Sequence, residues 1–537
     1  MELVHVFVPP GMRTDGGSIE PQLNARKPRE KQGFDPSGPL FVPNFRHEKL
    51  AEGHLLLDTD EANWVFVNDE GFHVMNAIRG SQGKSATELF QSESPTVGKF
   101  LAQSAKREFL SNASHDKPVY TGRHHLLGLE RLHEFWIVPN YDCNLRCRHC
   151  YTIEQVMHNP HRLELETCKA VVDEAKALGT EIFYLTGGEV MQHPQIFEMV
   201  EYIAKERKLI LFTNGMLIDP DTAEFLARFR ERLIVQISIE GHDEQNNALI
   251  RGKRAFGPAL EGLRNLLNVG VRVGVSSTPT KATKESIPQL TELLCQLEVN
   301  GNRTEYHHLI MLLDIGGTKR NPERTLLTHE EFSTVMDRCK EEAKRGKKER
   351  GSRLKLANEK IMHACASNGP KKDLCGAGYT ILGIDPEGNL KTCAATINDT
   401  RFDLGKVLDE QGNYVEGRIT ELWQNGERMK WVRAFTIARQ KGEREDDLRF
   451  FHGGACWYNM QDPEKPLSTE HPFYEALEDQ TLKSIIEEAT KRARHPRKPG
   501  PAILSYMHRS RIACAGGRKT ADLSEDGLDT GYCICFA

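Results

Sequence analysis

Six short apolar segments, each separated from the next by a helix-length stretch, run through residues 134–311 and leave few folds open to this chain. The predicted strands are FWIVP (135–139), EIFYLT (181–186), LILFT (209–213), LIVQISI (233–239), VRVGVSS (271–277) and YHHLIM (306–311). Amphipathic runs such as LETCKAVVDEAKALG and IPQLTELLCQLEV fill the gaps between them. Strands that alternate with helices imply a parallel α/β sheet, because a parallel partner can be reached only by a long crossover. Six units predict a partial (β/α)6 barrel, whose reactive groups gather at the C-terminal ends of the strands.

The string PNYDCNLRCRHCYT follows the first of these strands and holds Cys143, Cys147 and Cys150 in C-x3-C-x2-C spacing. Thiolates are the usual ligands of iron–sulfur clusters. Three of them on a four-iron cluster leave one iron open, as a catalytic metal requires. Read alone, the triplet also suits a zinc knuckle. Its place after a strand, at the head of six βα units, favours the cluster.

With that placement the chain resembles the radical S-adenosylmethionine (SAM) superfamily, over roughly residues 134–320. His149 stands where that family usually has an aromatic residue. The resemblance implies a 4Fe–4S cluster whose open iron is chelated by SAM. It implies reductive cleavage of SAM to a 5'-deoxyadenosyl radical that takes a hydrogen atom from substrate. Further positions match. Gly187, Gly188 and Glu189, after the second strand, correspond to a GGE motif that binds the methionine amino group. Thr213 and Asn214, after the third, correspond to a SAM-lining position. Ser238, in the fourth strand, corresponds to a residue near the SAM ribose or carboxylate. Arg251 corresponds to an arginine that pairs with the SAM carboxylate, a role suited to a guanidinium fork.

A second cysteine set comprises Cys365, Cys375 (in CGAGY), Cys393 (after DPEGN) and Cys456 (in HGGAC). It resembles the SPASM extension of peptide-modifying radical SAM enzymes, and implies one auxiliary 4Fe–4S cluster on these four residues. The second SPASM cluster is expected to be missing. Cys514, Cys533 and Cys535, with His452, are the residues that could rebuild it, and a structural zinc site is the other reading of the set. Ala394 stands where sulfatase maturases carry an acidic base, which argues against that activity. Cys168, Cys295 and Cys339 lie alone in helical patterns and are expected to be buried structural residues.

Ahead of the barrel, HLLLDTD and ANWVFVND read as two strands joined by a turn, with Asn68 as the N-cap of a following helix and two more helices after it. This winged-helix-like segment resembles PqqD-like domains, which bind the leader of a precursor peptide as an added strand. The expected divisions are a loosely draped segment 1–41, the PqqD-like domain 42–122, the radical SAM core 130–340, the SPASM-like domain 355–465, and a helix and Cys-containing tail 466–537.

A net charge of -5 gives no global basic footprint, so nucleic-acid binding is not expected. The charge run 340–353 reads as a solvated helix face. With neither a signal peptide nor an apolar span, a cytoplasmic location and no membrane partner are expected. These readings together point to an enzyme that matures a ribosomally made peptide, forming a thioether or carbon–carbon link or an oxidised side chain, and drawing electrons from a flavodoxin- or ferredoxin-type reductant. The alternatives are radical chemistry on a small molecule or folded protein without a leader, and a non-enzymatic iron–sulfur or zinc protein.

Overall fold

The computed structural model describes residues 34–114, 131–358 and 376–433 apart from short gaps, a few positions between 448 and 490, and residues 503–504. The expected draped segment 1–41 falls mostly outside the described residues. So do Cys365, Cys375, His452, Cys456, Cys514, Cys533 and Cys535. The chain divides into two compact units.

The first unit holds an antiparallel sheet of β1 (Phe45–Leu50), β2 (Gly53–Asp58) and β3 (Asn63–Val67), followed by α1 (Asp69–Gly80), α2 (Ala86–Phe90) and α3 (Pro95–Lys106). The hairpin β2–β3 and the three helices are as the sequence predicts. β1 is an addition, because FRHEKL alternates too weakly to announce a strand. The Asn68 side chain accepts from the Gly71 amide, as the N-cap assignment requires. Asn68→Ala should therefore cost about 1 kcal/mol, read as an earlier unfolding transition of this unit; an unchanged transition would leave the cap without energetic weight.

The runs LLL (55–57) and WVFV (64–67) are apolar at every position because the sheet is covered on both sides. Leu56, Val65 and Val67 pack with Met75, Ile78, Phe100 and Leu101. Their alternating neighbours Leu55, Leu57, Trp64 and Phe66 pack with Leu448, Phe451, Ile485 and Ala489 from far down the chain. Residues Ile503–Leu504 add a short antiparallel strand to β3.

The second unit is built on one sheet. Its parallel strands are β4 (Glu134–Ile137), β5 (Ile182–Leu185), β6 (Lys208–Thr213), β7 (Leu233–Ser238), β8 (Arg272–Ser277) and, past the small hairpin β9 (Glu298–Val299) and β10 (Asn302–Arg303), β11 (Tyr306–Leu309). These are the six predicted strands in the predicted order. The sheet also runs further on both sides. β12 (Lys355–Asn358) lies parallel to β11. β13 (Ile381–Ile384) lies parallel to β4 and leads antiparallel into β14 (Asn389–Lys391) and β15 (Gly405–Lys406). The segment carrying the second cysteine set thus contributes strands to the same sheet as the cluster loop.

Helices α4 (Ile153–His158), α5 (Leu165–Ala177), α6 (Ile196–Ala204), α7 (Pro220–Ala227), α8 (Glu244–Arg251), α9 (Phe256–Asn268) and α10 (Ser286–Gln296) fill the crossovers. Cys168 and Cys295 are buried on α5 and α10, and Cys339 on the helix His329–Arg350. That helix opens with a capping box of Thr328 and Glu331 and closes on Gly351 in a left-handed turn; the charge run forms its largely exposed second half. Among the described residues no helix is long and apolar enough to cross a membrane.

Candidate active site

The loop after β4 carries Cys143, Cys147 and Cys150, and it is held by backbone and side chains from several directions. At its start the buried Asn140 side chain donates to the carbonyls of Asp142 and Glu189, at 3.1 Å each. Arg162 pairs with Asp142 at 2.7 Å. In the middle, the Arg148 amide donates to the Ile250 carbonyl at 2.9 Å and the Asn214 side chain to Asn144 at 2.7 Å. At the end, the Gly317 amide donates to the Cys150 carbonyl at 3.0 Å and the Asn398 side chain to the Tyr151 carbonyl at 2.8 Å.

Gly187 and Gly188 press against this loop. Gly187 has a φ of 149°. A Cβ on Gly187 would come under 3.0 Å from the Asn140 carbonyl oxygen, and one on Gly188 under 3.0 Å from those of Tyr141 and Asp142. The amides of Gly188 and Glu189 donate to the carbonyls of Asn140 and Asp142, at 3.1 and 2.6 Å. Only glycine allows this backbone-to-backbone approach.

Glu189 is fully buried and gathers Thr213 and Asn214. Its carboxylate accepts from the Thr213 hydroxyl at 2.6 Å, the Asn214 amide at 2.7 Å and the Met191 amide at 3.1 Å. Residues matched to two separate motif positions therefore form one hydrogen-bonded group at the ends of β5 and β6. Burial raises the pKa of this carboxyl, and the three donors oppose that rise. Ser238 ends β7 with its hydroxyl 3.4 Å from that of Ser276 on β8.

Arg251 ends α8. Its Nη2 donates to Glu240 at 2.9 Å and its Nη1 stands 4.0 Å from Cys147 Sγ. Its Nε is buried without a hydrogen-bond partner among the described residues. The three cysteines are free thiols. Burial pushes Cys143 up to about 12 and Cys147 up to about 11, and raises Cys150 as well. Thiols of this kind give up their protons to a metal rather than to solvent, so loading is coupled to proton release.

Among the described residues no three ligand-type side chains converge as tightly as one metal ion demands. The thiols do lie within electrostatic reach of one another and of the Arg251 guanidinium. Three thiols on a pinned loop, beside one buried cation, are donors of the type an iron–sulfur cluster uses.

Two features escape the sequence reading. One is Glu240, in the stretch QISIEG, whose partners come from other elements. The other is a polar row on one face of the sheet. The strand registers place Gln236, Ser238, Ser276, Tyr306 and His308 on one face with Trp136, Tyr184 and Phe212, which stack on each other. Tyr306 donates to Gln236 at 3.1 Å. His308 is buried, its Nδ1 has no partner among the described residues, and burial lowers its pKa to about 4, leaving a neutral imidazole. The period-two polar positions of QISIE and YHH are the signal that could have found this face.

In the second cysteine set, Cys393 follows β14 and is buried. The DPEGN turn preceding it is closed by Asp385, whose carboxylate accepts from the amides of Glu387 and Asn389.

Residues 137–294 match the Radical SAM superfamily, so the chain carries a radical SAM domain and is an enzyme. Mycofactocin maturase MftC of Mycolicibacterium smegmatis is 26% identical over 306 residues, spanning 55% of this chain and 70% of that protein. Fe-coproporphyrin III synthase of Methanosarcina barkeri is 31% identical over 170 residues, spanning 31% of this chain and 42% of that protein. The solved structure of native anSMEcpe with bound AdoMet and Kp18Cys peptide aligns with a TM-score of 0.51 at 15% identity, covering 67% of this chain and 99% of that one. At that identity the likeness is one of fold.

Proposed function

We propose that this radical SAM enzyme matures a ribosomally made precursor peptide. The observation that carries the reading is the meeting of Cys143, Cys147 and Cys150 with the Gly187–Gly188–Glu189 turn and Arg251 at the C-terminal ends of β4 to β7. In this reading the three thiolates hold a 4Fe–4S cluster. Gly187, Gly188, Glu189, Thr213, Asn214, Ser238 and Arg251 hold SAM. Bound there, cluster and SAM supply a carbon-centred radical able to take a hydrogen atom from an unactivated C–H bond. The chain's own contribution is to orient and enclose. The pinned loop holds the thiols, the buried polar groups at the strand ends orient the cofactor, and the row from Gln236 to His308 offers hydrogen bonds to polar groups of a guest.

The peptide substrate is supported by the likeness to a mycofactocin maturase and by the four-stranded sheet, β1 to β3 with Ile503–Leu504, of the winged-helix-like unit. Sheets of this kind take an extended peptide as an added strand, main-chain hydrogen bonds giving affinity. The leader docks on residues 42–122. The test gives the whole enzyme any short peptide found encoded beside its gene, with and without the leader half. The leaderless peptide should be modified at least about tenfold more slowly, while SAM cleavage without peptide is unchanged. Equal rates would favour the second reading, radical chemistry on a small molecule, which the partial likeness to Fe-coproporphyrin III synthase supports.

Cys365, Cys375, Cys393 and Cys456 hold one auxiliary cluster in this proposal, and a flavodoxin- or ferredoxin-type protein supplies electrons. Anaerobically reconstituted protein should contain about eight irons per chain. About four would remove the auxiliary cluster.

A further inference from the structure

Glu240 is a carboxylate with no route to water: its side chain is 1% exposed. It sits just past the end of β7 and ties together three other parts of the unit. Oε1 accepts from Arg251 Nη2 of α8 at 2.9 Å and faces His149 Nε2 of the cluster loop at 3.2 Å. Oε2 accepts from the Thr278 amide, just past β8, at 2.7 Å. Its own amide donates to the Asn247 side chain at 2.8 Å. Burial alone would raise the pKa of this carboxyl. His149 and Arg251 outweigh that and hold it down at about 2.

A buried ion pair is weak as a source of stability, since desolvation consumes most of the attraction. What it does well is fix geometry. Arg251 carries five N–H donors in a rigid fork. Glu240 engages Nη2 and so sets the plane of the fork. Nη1 is left beside Cys147, and Nε is left unpaired in the interior. The same oxygen holds His149, the residue that departs from the usual aromatic, and so ties the third cysteine's neighbour to the same point.

We propose that Glu240 is a positioning residue: it holds Arg251 toward the carboxylate of SAM and fastens the cluster loop through His149. The inference rests on the reading that Arg251 takes the SAM carboxylate.

The test is a double-mutant cycle on SAM affinity, measured by titrating SAM into the cluster-loaded full chain, with iron per chain determined for every variant. Glu240→Gln keeps the shape and the acceptor for Thr278 while removing the charge, so it preserves the fold where Glu240→Ala would leave the buried Arg251 without its partner. Arg251→Ala should weaken SAM binding by about tenfold or more, and Glu240→Gln by several-fold. In the Arg251→Ala background the Glu240→Gln change should add less than about twofold, because the carboxylate acts through the guanidinium. Additive losses, or wild-type affinity in Glu240→Gln beside a weakened Arg251→Ala, overturn the inference while leaving the Arg251 reading intact. Wild-type affinity in Arg251→Ala overturns that underlying reading. Iron loading reads the second part of the inference: Glu240→Gln should load less iron than Arg251→Ala, and equal loading overturns the tie through His149.

Discussion

Replacing Cys147 by alanine should leave a folded protein that loses about four irons per chain and forms no measurable 5'-deoxyadenosine. The sulfur of Cys147 makes no contact on which the fold depends; its neighbour is Arg251 Nη1 at 4.0 Å. The loop is held instead by Asn140, Arg148, Gly317 and Asn398, none of which the substitution touches. Two remaining thiols cannot retain the cluster against solvent and chelators. The measurements are iron and sulfide content and anaerobic SAM cleavage with dithionite. Iron content and SAM cleavage equal to wild type would show that these thiols carry no cluster.

Gly188→Ala should impair the same chemistry without removing a ligand. The new methyl would fall on the carbonyl oxygens of Tyr141 and Asp142, immediately before Cys143. Two backbones cannot yield as a flexible side chain can, so the loop must move. Overpacking of this kind costs about 1–3 kcal/mol. A displacement of about 1 Å at a reacting centre can cost about a hundredfold in rate. A lowered unfolding midpoint together with SAM cleavage reduced by about that factor is the expected result. Gly257→Ala is the control: nothing lies within 4 Å of a Cβ there, and the residue is in α9. It should be neutral or slightly stabilising. If both variants cleave SAM at the wild-type rate, the close approach of the GGE turn to the cysteine loop has no functional weight.

Much of the scaffold was legible before any coordinates because periodicity and burial are local properties. FWIV, IFYL and LILF are apolar along their whole length because a parallel sheet is covered on both faces. The hairpin and cap at 53–71 were legible for a related reason: turn and cap preferences act over a few residues. β1 escaped because its residues are mostly half-exposed and polar, so no alternation marks them. The pairing of β13 with β4 escaped because it joins residues 381–384 to residues 134–137, and no local signal measures that separation. The same holds for the packing of Leu448 and Phe451 under Trp64 and Phe66.

The chemistry divides along the same line. Three cysteines in one short loop after a strand are a statement about neighbouring residues, so the expectation that they hold a cluster could be drawn from the sequence alone. That Glu189 draws Thr213 and Asn214 into one group, that Gly188 must be glycine because another backbone lies on it, and that Glu240 bridges His149 to Arg251 were decided only in three dimensions. Hydrogen bonds and contact distances depend on where strands end relative to one another, and that register is set by packing of the whole sheet rather than by any stretch of residues within it.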